Sequence, residues 1–326
     1  MMPRLIVCMI DDDIIKAVAR GKSTSREAMY DISVVRALRR LPCSVHLVGA
    51  GRDLSRTIEQ LTRLRPGLVF NLAFSAHPLE ASFAGVLDVL GIPYTGSGPL
   101  GIGLTNDKAR SRRLLAVAGI AVPRFVELGP TRRPKTIGFP PPFIVKPVSL
   151  ANSLGVHADS VVRSYQHALK RAGRIWRQYR VPALCDEFIV GREFQVGLVE
   201  TARRHFKVSA IVELNFAGAS RGRGFKSEAV EINGKRKRLY EVATPLALLP
   251  RGKWEEMAEI ARTACRVLEL RGYAKVDLRM DSDGRVAVIE ANANPGLWSA
   301  GNIWRTPNFE ANLRFIIDAA LSRARE

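Results

Sequence analysis

Residues 273 to 296 read YAKVDLRMDSDGRVAVIEANANPG, and their pairing decides the fold. Asp283-Gly284 lies between two alternating apolar runs. That dipeptide favours a two-residue hairpin turn, because such turns need positive φ at their central positions. If it forms the turn, paired positions sum to 567. Asp277 then faces Glu290, and Lys275 faces Asn292. Side chains alternate along a strand, so these four share one face. The same count puts Val286 and Val288 on that face, with Ala274, Val276, Leu278 and Met280 on the other.

Two carboxylates directly across a ladder repel one another. A cation between them reverses the sign. Oxygen ligands from Asp277, Glu290 and Asn292 suit a hard ion such as Mg²⁺, which keeps waters and phosphates as its remaining ligands. An ordinary hairpin with an exposed polar face is the plainer alternative. Asn294-Pro295-Gly296 ends the strand at once and leaves backbone amides near the acidic cluster.

The chain has 326 residues, enough for two or three domains. A hydrophobic share of 47% supplies a full core. No uninterrupted run of 18 apolar residues spans a membrane. The apolar start, Met1 to Ile10, runs straight into Asp11, Asp12 and Asp13. It reads as a buried parallel strand and not as a signal peptide. Cys8, Cys43, Cys185 and Cys265 show neither C-x-x-C nor metal spacing, which points to reduced thiols and a cytoplasmic location. The net charge of +19 attracts polyanions in general. Thirty-eight of the 50 basic residues are Arg, scattered along the chain and not interleaved with aromatics. An Arg-rich composition accounts for this better than a nucleic-acid groove does.

Strands at 4–10, 45–50 and 68–74 alternate with helices at 27–40, 53–64 and 80–90, the pattern of a parallel α/β layer. Gly96, Gly98, Gly101 and Gly103 form a glycine-rich connection. A helix from Asp107 to Ala118 follows, with Thr105 or Asn106 as its cap. The stretch 129–142 holds five prolines and reads as a loop before a strand at 143–146. Val148 to Val156 is a small polar loop. A helix at 160–174 and a strand at 182–188 close this second unit. Strands near 193–200 and 206–214, a basic segment from 216 to 240 and a helix at 253–270 lead into the hairpin. A helix at 309–323 packs on the first or third unit. The boundaries are 1–103, 104–189 and 190–326.

With these elements in order, the chain resembles the ATP-grasp superfamily, and within it the D-alanine–D-alanine ligases. The residues that carry the resemblance run from Ser23 to Gly296. They are Ser25-Arg26-Glu27, Gly91 to Gly98 with Asn106-Asp107-Lys108, Phe143 to Pro147, Glu187 to Phe194, and the hairpin with Asn294-Pro295-Gly296. The resemblance implies an α/β (α+β) three-domain fold with ATP between the central and C-terminal domains. It implies two Mg²⁺ ions, with Mn²⁺ as a substitute, on Asp277, Glu290 and Asn292. Lys108 and Lys146 would hold phosphates, as Lys commonly does. Asp186 and Glu187 would meet the adenine edge and Glu193 the ribose. Glu27 would hold a substrate ammonium, with Ser153, Lys275 and Gly296 about the reacting groups. The partners implied are ATP and small amino-acid-like substrates, in a chain open to homodimerisation.

The sequence also departs from that family. The loop Leu150-Ala151-Asn152-Ser153-Leu154-Gly155 lacks the lid glutamate. Ser75 stands at a histidine position, although Glu80 stays in register. Lys275 replaces an arginine and keeps its charge without the bidentate fork. The 216–240 segment is rewritten, and either Lys226 or Lys235 could supply its phosphate-binding lysine. Three readings result: a carboxylate–amine ligase acting through an acyl phosphate and nearest to D-Ala–D-Ala ligation, a ligase for another amino acid or dipeptide, and a non-catalytic basic binding protein on the same scaffold.

Overall fold

The computed structural model describes Met2 to Arg325 apart from residues 12–13, 16–25, 52, 74–78, 151–152, 218–223, 228–229, 233–234, 238–240, 244–245 and 298–308. Side chains of 11, 26–30, 79, 217, 230–232, 235–237 and 241–243 also lie outside that description.

Strands β1 (Leu5–Asp11), β2 (Ser44–Ala50) and β3 (Leu68–Leu72) form a parallel sheet in the order β2-β1-β3. Ile6 to Ile10 and all of β3 are buried, as continuous apolar runs in a two-sided parallel sheet must be. The connecting helices are α1 (Arg26–Leu38), α2 (Leu54–Leu64) and α3 (Leu79–Val89). Asp53 caps α2 by accepting from the Arg56 amide.

The glycine-rich connection contains a helix, α4 (Pro99–Asn106), so the expected boundary at residue 103 falls inside an element. Pro99 opens it. Gly101 permits its close packing, since a Cβ there would sit 2.7 Å from the Glu269 carbonyl. Helix α5 (Lys108–Val117) is capped by Asp107, not by Thr105 or Asn106; its side chain accepts from the amides of Ala109 and Arg110. One residue therefore separates the two helices.

The central unit is an antiparallel sheet ordered β4-β7-β5-β6, from β4 (Phe125–Leu128), β5 (Phe143–Pro147), β6 (Val161–Val162) and β7 (Ala183–Glu187). Strand β4 had no clear sequence signal. Helix α6 (Tyr165–Tyr179) starts five residues later than its periodicity suggests, because Ser164 caps it. Val145, Ala168, Ala172, Ile175 and Cys185 form this unit's own core.

The third unit is an antiparallel sheet ordered β12-β9-β8-β13-β14, with β8 (Arg192–Ala202), β9 (His205–Ala217), β12 (Glu241–Ala243), β13 (Tyr273–Met280) and β14 (Val286–Asn292). A small hairpin, β10 (Val230–Ile232) with β11 (Lys235–Lys237), lies within the basic segment. Helix α7 (Arg251–Val267) covers one face of the sheet. Helix α8 (Phe309–Arg323) packs on both outer units: Leu313 and Ile316 share a cluster with Ile6 and Phe70 of the first sheet and Val199 of the third. A second cluster joins Val7 and Val69 to Val196 and Val276. The first and third units thus share apolar cores.

The hairpin departs from its expected turn. The Gly284 amide bonds to the Asp281 carbonyl and the Asp281 amide to the Arg285 carbonyl, which makes a three-residue loop. Gly284 has φ +82°, which suits the left-handed position of such a loop. Pairing then sums to 566 near the turn: Met280 with Val286 and Leu278 with Val288. A bulge at Ile289 adds one residue and restores Asp277 opposite Glu290 and Lys275 opposite Asn292. The two shifts cancel at the carboxylates. They do not cancel for Val286 and Val288, which turn into the core beside Leu278 and Met280 and away from the acidic face.

Candidate functional site

One cleft is bounded by the central sheet, the third sheet and the loop after β5. Its lining side chains fall into three groups. The first is acidic. Asp277 is 7% exposed. Its Oδ2 lies 2.7 Å from Lys275 Nζ and 3.4 Å from the Asn292 amide, while Oδ1 accepts from Gln195 at 2.9 Å. Glu290 faces Lys108 Nζ at 3.4 Å. The expected repulsion between facing carboxylates is thus met here by ammonium groups.

The second group is basic. Lys108, from the first turn of α5, also donates to the Leu150 carbonyl at 2.6 Å. Lys146, near the end of β5, lies 3.3 Å from Asp186 Oδ2. Lys226 reaches the cleft from the rewritten segment. Lys235 lies in β11, and its side chain is outside the described residues. Burial opposes ionisation of Glu290, but Lys108, Lys146, Lys275 and Lys226 outweigh it and hold the carboxyl at about 2. Burial also opposes the charge on Lys275, and Asp277 with Glu290 overcomes it and raises the pKa. Lys146 is lowered by burial, with Asp186 pulling the other way.

The third group is an apolar slot made by Ile144, Leu154, Phe188, Ile189 and Phe225, beside Glu187 and Glu193. Arg124 grips Glu187 at 2.9 and 3.0 Å. Arg279 approaches Glu193 at 3.6 Å. Burial raises the Glu193 carboxyl, and Arg279 opposes that shift. Asp186 is buried and bonded to Arg112 as well as Lys146. Arg112 Nη2 also donates to the bulge carbonyl of Ile289 at 2.7 Å.

The cleft therefore collects Lys108, Lys146, Asp186, Glu187, Glu193, Lys226, Lys275, Asp277, Glu290, Asn292 and Ser153. Ser153 has φ +61°, and Gly155, at φ +76°, rests against Pro147 where a Cβ would come within 2.6 Å. Gly296 is exposed and is not among the lining residues. Glu27 sits in the first turn of α1 with its side chain outside the described residues, and Ser75 is outside them altogether. Sequence reading missed Gln195, Arg112 and Arg279. Gln195 lies two residues from Glu193 on the same strand face. Arg112 lies one helical turn from Lys108.

Among the described residues no three His, Cys, Asp or Glu side chains gather as a metal cluster. The donor set here is two carboxylates and a carboxamide. These hard oxygens on one hairpin face, with Glu290 ionised throughout the neutral range, fit Mg²⁺ completed by phosphates and water.

Asn294 faces away from this cleft. Its Oδ1 accepts from the Ser97 amide at 2.9 Å and its Nδ2 donates to Glu80 at 3.0 Å, across the join of the first and third units. Burial pushes the Glu80 carboxyl up to about 7, against the Asn294 hydrogen bond. A carboxyl whose folded pKa exceeds the ordinary 4.5 binds its proton more tightly in the native state. Stability is therefore lost as pH rises from 4.5 through 7, by up to about 3 kcal/mol. Thermal melts should show a midpoint falling across that window, and Glu80→Gln should flatten the fall. An equally steep fall in the variant would remove Glu80 as its cause.

Comparison with known proteins follows the same lines. The family model for the D-ala D-ala ligase C-terminus matches residues 114–305, more than half of the chain. The chain is 32% identical over 278 residues to the uncharacterized protein y4sG of Sinorhizobium fredii, covering 81% of this chain and 78% of that one. It is 28% identical over 285 residues to the D-alanine–D-alanine ligase of Gluconobacter oxydans, covering 86% and 89%. In fold it matches the Bacillus anthracis D-alanine–D-alanine ligase solved with ATP, at TM-score 0.76 and 19% identity over 100% and 99% of the two chains. It also matches the VanG D-Ala:D-Ser ligase of Enterococcus faecalis, at TM-score 0.72 and 16% identity over 99% and 100%. Among the described residues no helix is long and apolar enough to cross a membrane.

Proposed function

We propose a reaction for a chain that belongs to the D-alanine–D-alanine ligase family, one of ATP-dependent ligases on the ATP-grasp fold. A substrate carboxylate oxygen attacks the γ-phosphorus of ATP, the bond to the bridging oxygen breaks, and ADP leaves. The amine nitrogen of a second amino acid attacks the acyl carbon, phosphate departs, the nitrogen gives up its proton, and an amide remains. The observation that carries this reading is the convergence of Lys108, Lys146, Lys226 and Lys275 on a cleft that also holds Asp277, Glu290 and Asn292.

Lys108 and Lys146 rise from the central unit to meet phosphate oxygens, and Lys226 meets them from the third unit. Asp277, Glu290 and Asn292 would hold Mg²⁺, which when bound neutralises charge on the phosphates. Lys275 sits beside Asp277 and supplies positive charge toward the acyl centre. The apolar slot takes the base, Glu193 accepts from the ribose hydroxyls, and the Glu187 edge borders the base. Asp186 holds Lys146 in place. Ser153 and Gly296 belong to loops around the second substrate, and Glu27 takes the ammonium of the first. The first, central and third units correspond to substrate, nucleotide and combined roles.

The departures from the family pattern are Ser75, the 149–155 loop and the 216–240 segment, and their effect is assigned here to the amino-acid substrates. A site that lacks one buried polar partner can lose orders of magnitude on a substrate needing it. The chain is therefore expected to ligate D-Ala with D-Ala weakly and another amino-acid pair faster. ADP release across a panel of D- and L-amino acids, with products identified by mass spectrometry, tests this. A D-Ala–D-Ala rate near the enzyme median of about 10 per second, with no faster pair, would refute the altered specificity. Full activity in Glu27→Ala would refute the ammonium role.

A further inference from the structure

Arg279 stands two residues beyond Asp277 on the same strand and is 4% exposed, yet the reaction above gives it no part. A buried guanidinium is costly unless matched by acceptors. Its partners are therefore informative. Nη2 lies 3.0 Å from the carbonyl of Gly191 and 3.0 Å from that of Gly224. Nη1 lies 3.6 Å from Glu193. The guanidinium covers the Phe188 ring at 4.8 Å, and Phe225 meets Phe188 edge-on with centroids 6.0 Å apart.

These partners come from two stretches of chain, the β7–β8 link running into β8 and the segment at Gly224. Gly191 is in the link between β7 and β8, where a Cβ would lie 1.9 Å from the Met280 carbonyl, so the link is pressed onto the end of β13. Gly224 begins the described segment that brings Phe225 and Lys226 to the cleft. Glu193 opens β8. A planar fork can hold two carbonyls and a carboxylate together, whereas an ammonium is a point charge without that geometry.

We propose, resting on the ligase reading, that Arg279 is a positioning residue for the nucleotide: it fastens the Phe225–Lys226 segment over the cleft and aims the Glu193 carboxylate at the ribose hydroxyls. Its effect reaches ATP through Glu193 and Lys226 and not by contact of its own.

The test reads binding by calorimetry, with ATP and with 2′,3′-dideoxy-ATP, so that absence of ligation would sink the ligase reading and leave this measurement standing. Wild-type protein should bind ATP about tenfold more tightly than the dideoxy form, the worth of one charge-assisted hydrogen bond. Arg279→Met should weaken ATP at least about tenfold and bring the two nucleotides within about twofold of each other. Glu193→Gln should give the same loss of discrimination, and the double variant should lose no more. Arg279→Lys should also lose discrimination; it decides the matter if Arg279→Met does not fold. Equal weakening of both nucleotides, an unchanged ratio, or a wild-type protein that binds neither would overturn the proposal.

Discussion

Glu290→Gln is expected to lower ATP-dependent turnover by about 10²–10³-fold, the scale seen when one preorganised electrostatic group is removed from a reacting centre. The carboxylate is the only negative charge on β14 that enters the cleft, and four ammonium groups hold it ionised. Gln keeps the shape and removes the charge. A divalent ion would then have Asp277 as its sole charged ligand on the hairpin. The substitution should also cost stability. A carboxyl held at about 2 stabilises the fold above its ordinary 4.5, and that contribution disappears as pH falls from 4.5 to 2. With about a quarter of the side chain open to solvent, the loss at neutral pH should be on the order of 1–3 kcal/mol, so the variant stays folded but melts earlier. ADP release titrated with Mg²⁺ checks the main claim. A variant with the wild-type rate and the wild-type Mg²⁺ dependence would exclude Glu290 from the metal site.

Lys146→Met should weaken ATP binding by about 10–100-fold, since a hydrogen bond to a charged group contributes about 1.5–3 kcal/mol. The effect should fall on affinity more than on stability for a specific reason. Asp186, which Lys146 now approaches at 3.3 Å, keeps its bond to the buried Arg112 when the ammonium goes. Met retains the stem that packs at the end of β5. Lys108→Met should lose affinity too, although its bond to the Leu150 carbonyl adds a loss of order in the loop. Unchanged calorimetric affinity in both single variants would mean that the triphosphate lies elsewhere.

The hairpin shows how far sequence can carry such a reading. Turn chemistry located the Asp-Gly corner and alternation put Asp277 across from Glu290, but through two errors of opposite sign. A three-residue loop and a bulge look like one uninterrupted ladder when only apolar spacing is counted. Val286 and Val288 expose the difference, because both are buried with Leu278. The parallel first sheet was legible because β1 and β3 are buried on both faces. Strand β4 was not: it has only four residues, and pairing with β7 makes it a strand. Lys108 and Lys146 could be found from their places at element ends, and Lys275 from its alternation with Asp277. Arg112 and Arg279 could not be told from 36 other arginines until long-range pairing brought Asp186 and Gly224 to them. That Lys226 of the rewritten segment lines the cleft likewise needed the path of the chain.

The bulge at Ile289 also governs how relatives of this chain should be aligned. Pairing at residues 275–277 is anchored from the far end, by β8 on one side and by Arg112 holding the Ile289 carbonyl on the other. Counting from the turn therefore misleads. A relative whose corner is one residue shorter can dispense with the bulge and still present its glutamate opposite the aspartate. An alignment forced to match the Asp-Gly corner without a gap would assign that glutamate to Ile289. The gap belongs between the corner and the glutamate, and Asn-Pro-Gly is the safer fixed point.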